Sequence, residues 1–406
     1  MRNPLASGFE GPLAPYADTI SQGLREQGYA LWTVQDKLHV VARLSHWLKE
    51  RQLPVGMLDE QRVCAFLREF HGHGRRACHG DPTTLRGLLK QLSDQGVIPE
   101  PTATADEGAR AAIAGAFSRY LTQERGLAVA TVDNYVAVVA RFLTARFGEG
   151  PVDLAALQAH DLTGFVLAQA HHLSPKPAQL MVTGLRSFLR FLYPRGQIAV
   201  DLAGVVPTVA DWRLARVPKY LPPEQVELLL ESCDQGSVVG QRDYSILLLL
   251  ARLGLRAGEV VHLCLDDVDW TEGLFTVRGK GGRWRQLPLP VDVGEAMARY
   301  LRRGRPPCTT RRVFVRLRAP RTGFASSAAI DCIVARALAR AGLNPPSKGA
   351  HLLRHSLATG MLRRGASLAE IGQLLGHRLP QTTEIYAKVD ERGLAELAQP
   401  WPGGAP

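Results

Sequence analysis

The chain has 406 residues, 46% of them hydrophobic, enough for two or three domains each with its own core. Its 49 Lys and Arg outnumber 38 Asp and Glu, a formal charge of +11 that favours a polyanion as partner, although ribosomal or membrane-surface proteins share such a balance. Six cysteines without a CxxC pair argue against a secretory disulfide framework, no charged-then-apolar signal pattern opens the chain, and the apolar run at 246–251 is too short to cross a membrane.

The first two hundred residues contain an internal repeat. Glu26, Gly28, Thr33-Val34 and Val40-Val41-Ala42-Arg43 recur 98 positions later as Glu124, Gly126, Thr131-Val132 and Val138-Val139-Ala140-Arg141. Phe66 answers Phe165, and Leu85-Arg86, Leu89, Leu92, Gly96 and Ile98 answer Leu185-Arg186, Leu189, Leu192, Gly196 and Ile198 at an offset of 100. Each copy reads as four helices; in the second, apolar spacing places them near 109–125, 129–147, 154–171 and 176–194. The expected division is a first helical copy at 1–100, a linker at 101–108, a second copy at 109–200, a linker at 201–222 and a distinct domain at 223–406. Three histidines and a cysteine gather in HGHGRRACHG (71–80), but their spacing suits a polar loop better than a metal site, and no metal or cofactor is expected.

The distinct domain opens with an apolar helix over 244–255 and another starting near Ala257. GLFTV (273–277) and RWRQLPL (283–289) flank a glycine-rich turn and read as a β-hairpin. A helix over 351–364 puts His351 and Arg354 on one face, with Leu353, Leu357 and Met361 toward the core. Ser367 and Glu370 form a capping box for the next helix, Gly376 suits its end, and His377 emerges just beyond. Thr382 or Thr383 caps a short helix with Tyr386 in its first turn, and residues 390–400 read as a C-terminal tail helix. The fold class expected is mainly α: two repeated all-helical domains, then a mostly helical α+β domain with a small antiparallel sheet.

Five stretches here carry chemistry: GLRAGEV (254–260), RGKGGR (278–283), HLLRHS (351–356), LLGH (374–377) and TTEIYAKV (382–389). Singly, each has a plain reading: Lys280 as a solvated turn lysine, His377 as a helix-end cap, Tyr386 as packing, Glu259 as an ion-pair partner. Jointly they supply the guanidiniums of Arg256 and Arg354, the ammonium of Lys280, the imidazoles of His351 and His377 and the phenol of Tyr386. Arginine forks match phosphate oxygens and can neutralise charge growing in a transition state. A phenol can form a covalent intermediate, an amine can protonate a leaving oxygen, and imidazoles can relay protons. That set can hold and attack a phosphodiester without a metal ion. His355, Ser356 and His262 read as structural or supporting, and some of the arginines in RRGRPP (302–307) and TTRRVFVRLRAPR (309–321) as contacts to a DNA backbone.

In order and approximate spacing, these motifs resemble the catalytic domain of the tyrosine recombinases, the phage-integrase family, over roughly residues 215–400. The resemblance implies that Arg256 and Arg354 bind the scissile phosphate, Lys280 is the general acid, and His351 and His377 assist proton transfer and phosphate contact. Tyr386 is then the nucleophile and Glu259 supports the site. It further implies a site-specific recombinase or integrase of a mobile element, working through a 3′-phosphotyrosyl link without ATP or metal. Double-stranded DNA is the implied substrate, residues 109–200 the implied core-DNA-binding domain, and a homotetramer or mixed recombinase tetramer on synapsed sites the implied assembly. The expected location is the bacterial cytosol or nucleoid. A type IB-like topoisomerase, or a non-catalytic DNA-binding relic of a transposon, is the alternative. The first copy contacts flanking DNA, holds a neighbouring protomer, or simply packs.

Overall fold

The computed structural model describes residues 9–72, 81–99, 108–148, 150–210, 217–279, 282 and 284–389. Lys280, the linker at 101–107, residues 73–80 of the histidine-rich stretch and the expected tail helix at 390–400 lie outside the described residues. The described parts of 1–99 and 216–406 belong to one compact unit, and those of 100–215 to a second.

The repeat has a common structural cause. The first copy comprises α1 (Ala17–Glu26), α2 (Leu31–Glu50), α3 (Glu60–Gly72) and α4 (Asp81–Asp94). The second comprises α5 (Gly108–Arg119), α6 (Val129–Phe147), α7 (Ala159–Ala170) and α8 (Pro175–Leu192). Most of the paired apolar residues fall in the two cores: Val34 with Val132, Val41 with Val139, Phe66 with Phe165, Leu85 with Leu185, Leu92 with Leu192. Gly28 and Gly126 both have positive φ (82° and 59°), as do Gly96 and Gly196 (68° and 67°), so these matches mark turns that a side chain would strain. The helix expected from 154 begins at Ala159 instead. Asp153 accepts from the Ala155 N–H at 3.1 Å and closes a 3₁₀ turn, Leu154–Ala156, before Gln158 and Asp161 cap the true helix.

The remaining unit continues with α9 (Pro223–Glu231), α10 (Val238–Leu253) and α11 (Ala257–His262). Helix α10 starts six residues before its apolar run, because the Ser237 hydroxyl accepts from the Gly240 N–H at 3.1 Å and sets the cap upstream. Ile246 to Leu250 are all at most 1% exposed, so this helix is the axis of the core. The hairpin forms as β2 (Leu274–Arg278) and β3 (Trp284–Pro288), paired from Leu274↔Pro288 to Arg278↔Trp284. A two-residue strand, β1 (Val268–Asp269), joins it antiparallel, too short for alternation to reveal. Then come α12 (Val291–Arg299), α13 (Ala328–Arg340), α14 (Ala350–Arg363) and α15 (Leu368–Leu375), followed by 3₁₀ turns Pro380–Thr382 and Glu384–Val389. No described helix is long and apolar enough to cross a membrane.

Some arginines of the two basic runs have partners within the domain. Arg305 donates to the Thr310 and Arg312 carbonyls at 2.7 and 2.9 Å, Arg311 pairs with Asp266, and Arg312 donates to the His262 carbonyl. The first copy meets the same region: the Arg321 N–H donates to the Gln27 carbonyl at 2.8 Å, beside Gly28, where a Cβ would stand 2.4 Å from Arg321 Cδ.

Candidate active site

The C-terminal end of α15 organises the site. A helix leaves its last carbonyls without intrahelical partners and carries partial negative charge there. Here three successive carbonyls are each met by an arginine. Arg285 donates to Leu374, Arg354 to Leu375 at 2.6 Å, and Arg256 to Gly376 at 3.2 Å. The three come from separate elements: β3, α14 and the α10–α11 turn. Arg354 also donates to the Gly254 carbonyl at the end of α10, so one buried guanidinium joins two helix ends.

Two glycines make this approach possible. Gly254 has φ of 60°, and a Cβ on it would lie 2.6 Å from Leu375 Cδ2. Gly376 has φ of 62°, and a Cβ there would lie 3.0 Å from Arg285 Cζ. Both positions need the left-handed backbone and the missing side chain.

Such crowded positive charge requires a counter-charge. Glu259 supplies it from the first turn of α11, with its side chain 3% exposed. It accepts from the Arg256 backbone N–H and from Arg256 Nη1, each at 2.8 Å, and sits 3.8 Å from Arg285 Nη2. Arg354 remains largely uncompensated. Burial and neighbouring Arg256 pull it down to about 10, and it stays protonated at neutral pH.

Tyr386 stands in the same place. Its hydroxyl lies 2.9 Å from His355 Nδ1, and its ring crosses that imidazole edge-on at 5.6 Å. The side chain is 1% exposed, among Ala358, Leu362, Ile371 and Leu375. Burial pushes the phenol up to about 12, an effect that the positive charge of Arg354 partly offsets. The Thr383 hydroxyl is 2.7 Å from His377 Nδ1 and fixes that ring one residue past Gly376. His351 reaches solvent one helical turn before His355, with ring centroids 6.4 Å apart.

Of the seven residues expected at the site, Arg256, Glu259, Arg354, His377 and Tyr386 therefore cluster around the α15 terminus, with His351 on the adjoining face of α14. Lys280, which falls in sequence between β2 and β3, lies outside the described residues. Three further residues join the cluster: Arg285, His355 and Thr383. A signal for Arg285 was present, since it alternates with buried Leu287 and so shares the inward face of β3. His355 lies four residues after His351, one turn along the same helix.

Burial and the neighbouring guanidiniums lower all three imidazoles from their usual range. Burial first, then His351 and Arg354, lower His355 to about 4; burial, Arg354 and Arg256 lower His377 to about 4; and His351 is lowered by burial and Arg354. Folded values below the unfolded one mean stability that is complete above pH 6.5 and lost as pH falls toward 4. The melting temperature should accordingly drop on the order of 5 °C across that window. His355→Gln, which can still accept from the phenol but cannot protonate, should flatten the drop in scanning calorimetry. An equally steep profile in that variant would refute the account.

The chain is similar to known proteins over most of its length. Residues 219–392 match the Phage integrase family model, and residues 115–196 match the Phage integrase, N-terminal SAM-like domain. A Sinorhizobium fredii protein described as an integrase/recombinase (y4rA) is 44% identical over 403 residues, covering 98% of this chain and 96% of its own. Tyrosine recombinase XerD of Mycobacterium tuberculosis is 32% identical, over 71% of this chain and 95% of its own. The fold is shared with the XerH site-specific recombinase bound to palindromic difH substrate (TM-score 0.54, 19% identity, 82% of this chain and 93% of that one). It is shared also with a lambda integrase dimer bound to a COC′ core site (TM-score 0.52, 16% identity, 70% and 96%). With the helical fold around a small sheet, the matched family models and relatives alike over nearly their whole length, the chain belongs to the tyrosine recombinase (phage integrase) family, whose members cut and rejoin DNA.

Proposed function

We propose that Tyr386 is the nucleophile of a site-specific recombinase acting on double-stranded DNA for a mobile element. Arg256 and Arg354 hold the non-bridging oxygens of the scissile phosphate, each keeping donors beyond those used on protein carbonyls. The Tyr386 oxygen bonds to phosphorus as the bond to the 5′ oxygen breaks, leaving a 3′-phosphotyrosyl link. Lys280 gives its proton to the departing 5′ oxygen, and His351 and His377 contact the phosphate and carry protons. The 5′-hydroxyl of a partner strand later reverses the step, so bond energy is conserved and neither ATP nor metal enters. Glu259 keeps Arg256 and Arg285 in place.

Residues 109–200 contact the core of the DNA site, residues 223–406 perform the chemistry, and the working assembly is a tetramer on two synapsed sites in the bacterial cytosol or nucleoid. One observation carries the catalytic reading: Tyr386 packs in one cluster with Leu375, whose carbonyl accepts from the buried Arg354 guanidinium at 2.6 Å, so phenol and guanidinium meet beside the same helix terminus. Before DNA arrives, the phenol is covered and held by His355, which guards it from unwanted attack.

The test is incubation of the full chain with a nicked suicide duplex in excess EDTA. A DNA-linked protein band on a denaturing gel, with the label mapping to the peptide containing Tyr386, is the expected result. Strict dependence on a divalent metal would refute it.

A further inference from the structure

The repeat matches are of two kinds. Those at Leu85, Leu89 and Leu92 are explained by packing, since they and their counterparts Leu185, Leu189 and Leu192 are all buried. Others lie where packing demands nothing. On α4, Thr83, Arg86 and Lys90 are exposed, and 100 positions on stand Thr183, Arg186 and Arg190 on α8. Spaced i, i+3 and i+7, each trio forms one stripe about 10 Å long on the face opposite the leucines. Other exposed positions have diverged, as where Asp94 stands against Pro194.

The charges of this stripe are also unspent. Several other cations of the first copy are neutralised within the domain: Lys49 by Glu10 at 2.8 Å, Arg51 by Glu69 at 2.6 Å, and Arg62 by Asp59. Among the described residues, neither Arg86 nor Lys90 has a hydrogen-bond or ion-pair partner. Gly87 lies between them with nothing within 4 Å of where a Cβ would be, so the stripe is unobstructed. In the second copy Arg186 is partly engaged, donating to the Val206 carbonyl at 2.7 Å and the Thr208 hydroxyl at 2.8 Å, while Arg190 has no partner among the described residues.

We infer that the first helical copy carries a DNA-backbone-binding face of its own, made by Thr83, Arg86 and Lys90, and so grips duplex in addition to that held by the second copy. Two cations and a hydroxyl donor on one helix face are the groups that contact phosphates without reading sequence. Thr183 and Arg190 are exposed at the matching positions of the second copy, where core packing does not require them, and this shared pattern points to a ligand common to both copies. The inference rests on the DNA-recombinase reading for the identity of that ligand.

The experiment compares binding of the full-length protein to a random-sequence duplex across a salt series. In Arg86→Glu/Lys90→Glu, the slope of log K against log salt should become shallower by about 2, reflecting two lost phosphate contacts, and low-salt affinity should fall at least about tenfold. Lys49→Glu/Arg62→Glu makes the same change in net charge at paired cations of the same copy and should leave the slope near the wild-type value. Equal effects in both variants, or an unchanged slope in the first, would overturn the proposal. So would wild-type DNA binding by the first variant combined with an altered sedimentation coefficient, which would assign the face to a protein partner. If thermal melting shows the Glu pair unfolded, Arg86→Gln/Lys90→Gln gives the same reading with smaller changes. Adduct formation on the nicked duplex, measured at saturating protein, is expected to survive in Arg86→Glu/Lys90→Glu. An absent adduct in the wild type, with the slope difference intact, would count against the catalytic assignment and leave this face standing.

Discussion

Tyr386→Phe should abolish the covalent DNA adduct while leaving duplex affinity within about twofold, since the ring stays and only a buried hydroxyl is lost. Loss of a nucleophile costs on the order of 10⁶-fold where it has been measured, which here puts the adduct below detection. The structural cost is small by comparison. Among the described residues the hydroxyl makes one hydrogen bond, to His355 Nδ1 at 2.9 Å, and losing it costs about 1 kcal/mol. A change of that size moves the melting temperature only a few degrees, so a folded, DNA-binding, adduct-free variant is the expected phenotype. A wild-type yield of adduct from this variant would transfer the nucleophile elsewhere. The resting phenol is pushed up to about 12, so almost none is ionised at neutral pH. Bound phosphate must therefore be attacked as the proton leaves, and adduct formation should accelerate as pH rises from 6 to 9.

Arg354→Ala should lower single-turnover cleavage by about 10²–10³-fold, the usual result of removing one charge-stabilising donor from a pre-organised site. Unlike the tyrosine variant, it should also destabilise the domain. The Leu375 and Gly254 carbonyls would both lose their donor in a buried setting, at about 1–3 kcal/mol each. Arg354→Lys keeps a charge but cannot bridge both helix ends with one planar fork, and should recover stability incompletely and rate hardly at all. Cleavage time courses and melting curves on the same preparations separate the two effects. Wild-type rates in Arg354→Ala would remove this residue from the phosphate site.

Much of the fold was legible because its signals are local. Ser367 and Glu370 announced the start of α15, and Gly376 its end, since capping depends on neighbours three or four residues away. The 98–100 residue offset exposed the repeat because equivalent leucines and glycines answer the same packing and turn constraints. Where the reading slipped, a cap lay outside the apolar pattern: Ser237 starts α10 early, and Gln158 starts α7 late. The intramolecular partners of Arg305 and Arg312 were not legible, since sequence does not show which carbonyls a guanidinium will find.

By itself the sequence determined the chemical inventory, the helical periodicity and the motif order that mark the family, all properties of residue type and spacing. Only the tertiary structure decided that β3, α14 and the α10–α11 turn would bring Arg285, Arg354 and Arg256 to three consecutive carbonyls of α15. It likewise decided that His355 would hold the Tyr386 hydroxyl. Those contacts join residues 21 to 120 positions apart, and their geometry depends on packing of whole helices, which no local pattern encodes.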